Sequence, residues 1–175
     1  MTSGAAPLRD VPALPSLDWL APAAGRSAVR LLAEIHGTVD LDRALVAVGR
    51  RAGGTATAPT TFDDDVIGAR VVLVPGLQRR STATPDWLAV AEPSREGRLA
   101  AWLARHGEGL AGWYLAADLR TDVLARRADA AGLAVIRSGA GPFGPGTLVV
   151  PARRRPLAAD PFLIFVDDAS VPSRP

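Results

Sequence analysis

The sequence predicts an α+β fold built from two successive β-α-β-β-β modules. Three observations carry this. Two stretches share one grammar of apolar strand, Asp-Leu start, helix and glycine stop: Ala33 to Gly54, and again Gly107 to Val135. The segment from Leu31 to Val39 alternates between two faces with period two, as a half-covered strand does. Short apolar runs bounded by Gly, Pro and Asp follow each helix, as strands of a sheet would.

In chain order, residues 1–28 are rich in Pro and Ala and read as an arm lying on the domain, with Ser16 capping one helical turn at Leu17-Asp18-Trp19-Leu20. The first strand runs from about Val29 to Val39. Leu31, Ala33, Ile35, Gly37 and Val39 make its small, apolar face, and Leu32, Glu34, His36 and Thr38 make the other. Asp40 caps a helix whose Leu41, Leu45 and Val48 recur at helical spacing, and Gly53-Gly54 ends it. Strands follow at Thr55–Phe62, Ala69–Pro75 and Trp87–Glu92, with Asp63-Asp64-Asp65 as a solvated loop. The first module thus spans 29–93.

Ser94 is the expected cap of a connecting helix over 94–109, with Leu99, Trp102 and Leu103 turned to the core. The second module, 110–175, opens with a strand at Leu110–Ala117 and a helix at Thr121–Ala131. Gly132 is its left-handed terminator, because only glycine takes positive φ without penalty. Strands at Leu133–Arg137, Thr147–Pro151 and Phe162–Val166 close the chain. The Gly139–Gly146 turn leads into a strand rather than a helix, so it is no phosphate loop.

Composition narrows the function classes. The chain has 175 residues, 48% of them hydrophobic, enough for a substantial core. All basic residues are arginine, and the net charge of +2 is a weak field over such a surface. Arg79-Arg80 and Arg153-Arg154-Arg155 are short runs beside loops, so no nucleic-acid partner is expected. There is no cysteine for disulfides or thiolate chemistry. No apolar run approaches the roughly 20 residues that span a membrane. The first residues include Arg9 and Asp10 and lack a secretory apolar stretch, so a cytoplasmic location is expected.

The order of these elements resembles the vicinal oxygen chelate superfamily, which includes glyoxalase I, methylmalonyl-CoA epimerase, extradiol dioxygenases and bleomycin-resistance proteins. The resemblance is carried by Val39-Asp-Leu-Asp-Arg-Ala-Leu45, Glu92-Pro-Ser94, Gly107-Glu-Gly-Leu110 and Asp122 to Gly132. Leu110-Ala-Gly-Trp113 and Pro161-Phe-Leu-Ile164 look most like its glyoxalase-like domains. The resemblance implies one such domain over 29–168, with the two modules pairing their curled mixed sheets into a cup. It also implies four metal-ligand places on cup-lining strands. These fall on Ala33 or Glu34, depending on register, on Ala89, on Ala111-Gly112 and on Phe165. A catalytic metal takes three protein ligands from His, Asp, Glu or Cys. Here at most one place is filled by such a group, so no metal and no other cofactor is expected.

Glu34 and His36 are two apart on one strand and share a face, which is expected to be the cup side, because an unpaired buried carboxylate is too costly to keep ionised. They form the candidate acid–base pair. Tyr114, Trp87, Phe165 and Arg70 are the candidate ligand-binding residues; Trp113 reads as core and His106 as a histidine favoured at a helix C-terminus. The expected function is binding of a small organic molecule in the cup without a metal. A lyase, isomerase or hydrolase using Glu34 and His36 is the alternative. A protein-interaction module with a filled cup is the third reading. A homodimer stays open as the assembly.

Overall fold

The computed structural model describes residues 16–20, 29–52, 60–75, 85–151 and 161–167. Eight strands form one mixed sheet: β1 (Val29–Gly37), β2 (Thr61–Asp64), β3 (Ala69–Pro75), β4 (Trp87–Pro93), β5 (Gly109–Ala117), β6 (Leu133–Gly139), β7 (Gly146–Pro151) and β8 (Phe162–Asp167). Three helices accompany them: α1 (Leu41–Ala52), α2 (Arg98–His106) and α3 (Thr121–Ala130). The strand order is β2-β3-β4-β1-β5-β8-β7-β6, so each half repeats the same order outward from the β1–β5 pair. β1 runs antiparallel to β5 and parallel to β4, and β5 runs parallel to β8. This is the α+β architecture of paired β-α-β-β-β halves.

The two faces of the sheet have different covers. On the convex face, Leu41, Ala44, Leu45 and Val48 of α1 pack on Val72 and Val90 of β3 and β4. Leu124 and Ala128 of α3 pack on Trp113, Leu115, Leu163 and Phe165 of β5 and β8. A single 3-10 turn, Asp18–Leu20, lies with this second group. Asp18 N donates to Ser16 Oγ at 3.3 Å, the cap expected there, and Arg127 donates to the Leu20 carbonyl. The rest of the arm, the Arg79-Arg80 and Arg153–Arg155 runs and the start of the strand expected at Thr55 lie outside the described residues.

The concave face holds the largest core. Ala33 and Ile35, Val71, Ala89 and Ala91, Tyr114, Phe143, Leu148 and Ile164 are all buried there, with Leu99, Trp102 and Leu103 of α2. Curling brings the β2–β3 turn of the first half against the β6–β7 turn of the second: Asp65 N donates to Ala140 O at 2.9 Å. The two hairpin tips therefore meet over the cup.

Two local expectations change. The strand expected at Thr55–Phe62 is observed at Thr61–Asp64, so Asp63 and Asp64 are paired strand residues rather than loop. The helix start expected at Ser94 falls at Arg98 behind Gly97, because Ser94 N is engaged by the Gly68 carbonyl in a bend.

Candidate functional site

β1 decides which residues line the cup. Ala33 pairs with Trp87 on one side and Tyr114 on the other, and Ile35 pairs with Ala89 and Gly112; paired residues point to one face. That face is concave. Glu34 pairs with Leu88 and Trp113, and His36 with Val90 and Leu110, all on the convex side. The expectation that Glu34 and His36 face the cup is therefore corrected. It assumed that small apolar residues must turn toward helices. Here α1 covers β3 and β4, and α3 covers β5 and β8, while the stretch of β1 that carries Glu34 and His36 meets water between them. Glu34 and His36 stand there with side chains 39% and 44% exposed and 3.7 Å between His36 Nε2 and Glu34 Oε2. The small residues fill the concave interior instead. A register irregularity at Leu32 breaks the alternation, so Leu32 and Ala33 are both fully buried.

The other candidates divide between the faces. Tyr114 and Trp87 are on the concave side. Of the concave aromatic residues, Tyr114, Phe143, Phe162 and Trp102 are buried and Trp87 is half-buried. Phe165 is corrected to the convex side, where α3 covers it and its ring meets Trp19 edge-on at 5.7 Å. Arg70 is also convex and is engaged by the Glu92 carboxylate near the start of α1.

The superfamily's metal does not fit this face. Of the two residues allowed at the first ligand place, Ala33 is the concave one, and Ala89 and Gly112 occupy the next two. On β8 the concave residues are Ile164 and Val166 rather than Phe165. None has a side chain with a lone pair to donate. At Gly112 no side chain fits at all: a Cβ would meet the carbonyl oxygen of Phe162 and lie 2.6 Å from its amide nitrogen. Among the described residues no three His, Asp or Glu groups converge.

The concave face does hold one acidic pair that the sequence reading missed. Asp64 is 1% exposed. Its Oδ1 accepts from Val66 N at 2.7 Å and Ile67 N at 3.1 Å, and its Oδ2 accepts from the Tyr114 hydroxyl. Tyr114 in turn meets Phe143 edge-on at 5.2 Å. Burial pushes the Asp64 carboxyl above its ordinary range, against the pull of those three hydrogen bonds. Burial and the facing carboxylate push the Tyr114 phenol well up. A signal was present in Asp64-Asp-Val-Ile-Gly68: a carboxylate before a tight turn that Gly68 closes at φ 70° accepts from the backbone just ahead. Its burial was not readable.

A second concave feature lies on α2. The indole of Trp102 is 6% exposed, and its Nε1 is buried without a hydrogen-bond acceptor among the described residues. The ring lies against His106, with centroids 5.0 Å apart and planes at 33°.

No family model and no curated protein matches the sequence. Solved structures do share the fold. A methylmalonyl-CoA epimerase variant of Streptomyces coelicolor, in complex with 2-nitronate-propionyl-CoA, has a TM-score of 0.58 at 23% identity, over 83% of this chain and 98% of that one. The Mycobacterium tuberculosis epimerase gives 0.57 at 18% identity, over 78% and 86%. A hypothetical protein of Bacillus halodurans gives 0.56 at 13% identity, over 81% and 95%. The chain has the fold of the vicinal oxygen chelate superfamily.

Proposed function

We propose that this chain is a metal-independent binding protein of that fold, taking a small organic molecule that presents a hydrogen-bond acceptor to the concave face. The observation that carries the reading is the Trp102 indole. Buried donors almost always find acceptors, and an orphaned one costs roughly 1–3 kcal/mol. A ligand carbonyl or carboxylate at Nε1 would remove that cost. Trp87, the half-buried aromatic residue of the same face, offers a surface for stacking. The hydrocarbon side chains at the ligand places support a reading without a metal. Glu34 and His36 have no part in it, since they stand on the far side of β1.

Acyl thioesters are the first compounds to test, because structural neighbours were solved with propionyl-CoA and methylmalonyl-CoA derivatives. The full chain is titrated with propionyl-CoA by calorimetry, and its metal content is measured after dialysis. Saturable binding with substoichiometric Zn, Mn, Co, Ni and Fe is expected. Trp102→Phe, which keeps a ring but lacks the N–H, should bind about tenfold more weakly. One equivalent of a divalent metal retained by the protein would overturn the metal-free reading.

A second reading is a metal-independent isomerase. It is favoured by the coverage of the epimerase fold, and Asp64 and Tyr114 are the titratable pair it would have on the concave face. Incubation with methylmalonyl-CoA in D2O separates the two. Deuterium entering C2 of the substrate supports the isomerase; unexchanged substrate supports the binding protein.

A further inference from the structure

We propose a second ligand site, on the convex side, that takes a small organic monocarboxylate. It is a cavity of about 240 Å³ between the start of α3 and the ends of β7 and β8. Its floor is apolar: Phe165 and Leu124 are each 3% exposed and border it. Phe165, which the sequence reading placed in the cup, thus faces a cavity of a different kind. The polar wall is a hydroxyl pair, Ser138 Oγ and Thr147 Oγ1, 3.0 Å apart, with Thr147 only 6% exposed. Each hydroxyl retains hydrogen-bonding capacity beyond that single contact. Arg120 stands at the mouth. Its Nε is 3.1 Å from Asp122 Oδ1, while Asp122 Oδ2 also receives Arg126 at 3.0 Å. A guanidinium has five N–H donors, so the shared carboxylate leaves it with donors to offer.

The first half of the molecule shows what such a corner accommodates. Between the start of α1 and the ends of β3 and β4, the chain supplies its own carboxylate. Glu92 receives the Arg70 guanidinium on Oε2 and the Leu41 N–H on Oε1, at 3.4 Å. The corner in the second half has the guanidinium of Arg120 and the start of α3, where Arg120, as N-cap residue, makes no side-chain capping bond to the helix. Among the described residues no glutamate lines its cavity; Phe165 and the hydroxyl pair do, and the one carboxylate there belongs to Asp167. A ligand carboxylate would take the role that Glu92 takes in the first half.

Size and charge define the ligand further. The cavity holds about eight water volumes, enough for a benzoate-sized acid. Asp167 also borders it, so a polyanion such as a pyrophosphate would meet a like charge. The geometry selects one carboxylate on an apolar body.

The full chain is titrated with benzoate, and with benzamide as its neutral counterpart, by amide NMR. The expected result is saturable benzoate binding, with shifts centred on Arg120–Leu124, Ser138 and Thr147, and much weaker binding of benzamide. Arg120→Gln, a change on an exposed side chain, should weaken benzoate about tenfold and leave benzamide unchanged. Thr147→Val should weaken both. Equal affinity for the two compounds, shifts centred elsewhere, or undiminished benzoate binding to Arg120→Gln would each overturn the assignment.

Discussion

The Tyr114 hydroxyl donates to Asp64 Oδ2 across 50 residues of sequence, tying the tip of the β2–β3 hairpin to a central strand of the sheet. Neither group reaches water. The bond gives the Asp64 carboxylate a third donor and explains why an aspartate is tolerated among Val66, Ile67 and Phe143. Tyr114→Phe leaves the ring in place and removes one of three donors from a buried carboxyl group. The expected loss is about 1.5–3 kcal/mol of unfolding free energy in urea titrations, the range for a bond to a charged group. A variant as stable as the parent would show that the hairpin is held by packing alone.

The same pair gives a pH dependence with a definite sign. The folded-state pKa of Asp64 is raised above its ordinary 3.8, chiefly by burial. Between the ordinary value and the raised one the folded state holds more proton than the unfolded state. Stability from this group therefore falls as pH rises through that window. Asp64→Asn removes the titration. Measured against that variant, the parent should be relatively more stable near pH 4 than near pH 7. A constant difference across the range would mean that Asp64 titrates as it does unfolded.

How much of this was legible in sequence depends on what each residue had to reveal. Helix and strand positions follow from period and punctuation, so α1, α3 and most strands fell where Asp40, Leu45, Val48 and Gly132 placed them. Faces are harder. The alternation in β1 separates Ala33 and Ile35 from Glu34 and His36, but it does not say which set meets water. That depends on α1 and α3 covering the flanking strands and leaving the middle of β1 uncovered, a tertiary fact. Phe165 was misplaced for a related reason: one residue of register moves a side chain to the opposite face. Asp64 looked solvated beside Asp63 and Asp65, and only the meeting of the two hairpins buries it. Trp102 was read correctly as core, but an unmatched donor is invisible until its neighbours are known.

Gly112 tests the closed contact between β5 and β8. Its missing side chain lets the strands approach until a Cβ would collide with the Phe162 backbone. Backbone cannot move aside as a flexible side chain can. Gly112→Ala should cost at least about 1–3 kcal/mol, the usual range for overpacking, and Gly112→His should fail to create a metal site because the fold yields first. The check is a denaturation curve for the first variant and metal analysis for the second. A stable Gly112→His protein holding one equivalent of Zn²⁺ would contradict the packing argument.

Gly132 follows α3 with φ 72°, and its amide donates to Asp129 O at 3.0 Å. Nothing lies within 4 Å of the place a Cβ would take, so a substitution there is penalised by backbone conformation alone. Gly132→Val should lose about 1–3 kcal/mol, and Gly132→Asn, which tolerates the left-handed region, should lose less. Equal melting temperatures for the parent and the Val variant would show that the turn relaxes freely.

Glu108 links the halves at the opposite end of the β1–β5 pair from Val29. Its Oε1 accepts from Val39 N at 2.9 Å, Thr38 Oγ1 at 2.7 Å and Arg43 at 2.6 Å. Those contacts, the Val39 N–H first and the Thr38 hydroxyl next, hold its carboxyl below the ordinary 4.5. A depressed folded-state pKa means stability that is fully present above the unfolded value and lost as pH falls through the folded one. Glu108→Gln keeps an acceptor but removes the charge. Its deficit relative to the parent should therefore be largest near neutral pH and shrink below pH 4.5. Urea titrations at pH 7 and pH 3 make the comparison. A deficit of the same size at both would mean that the charge contributes nothing and that shape alone joins Glu108 to the start of α1.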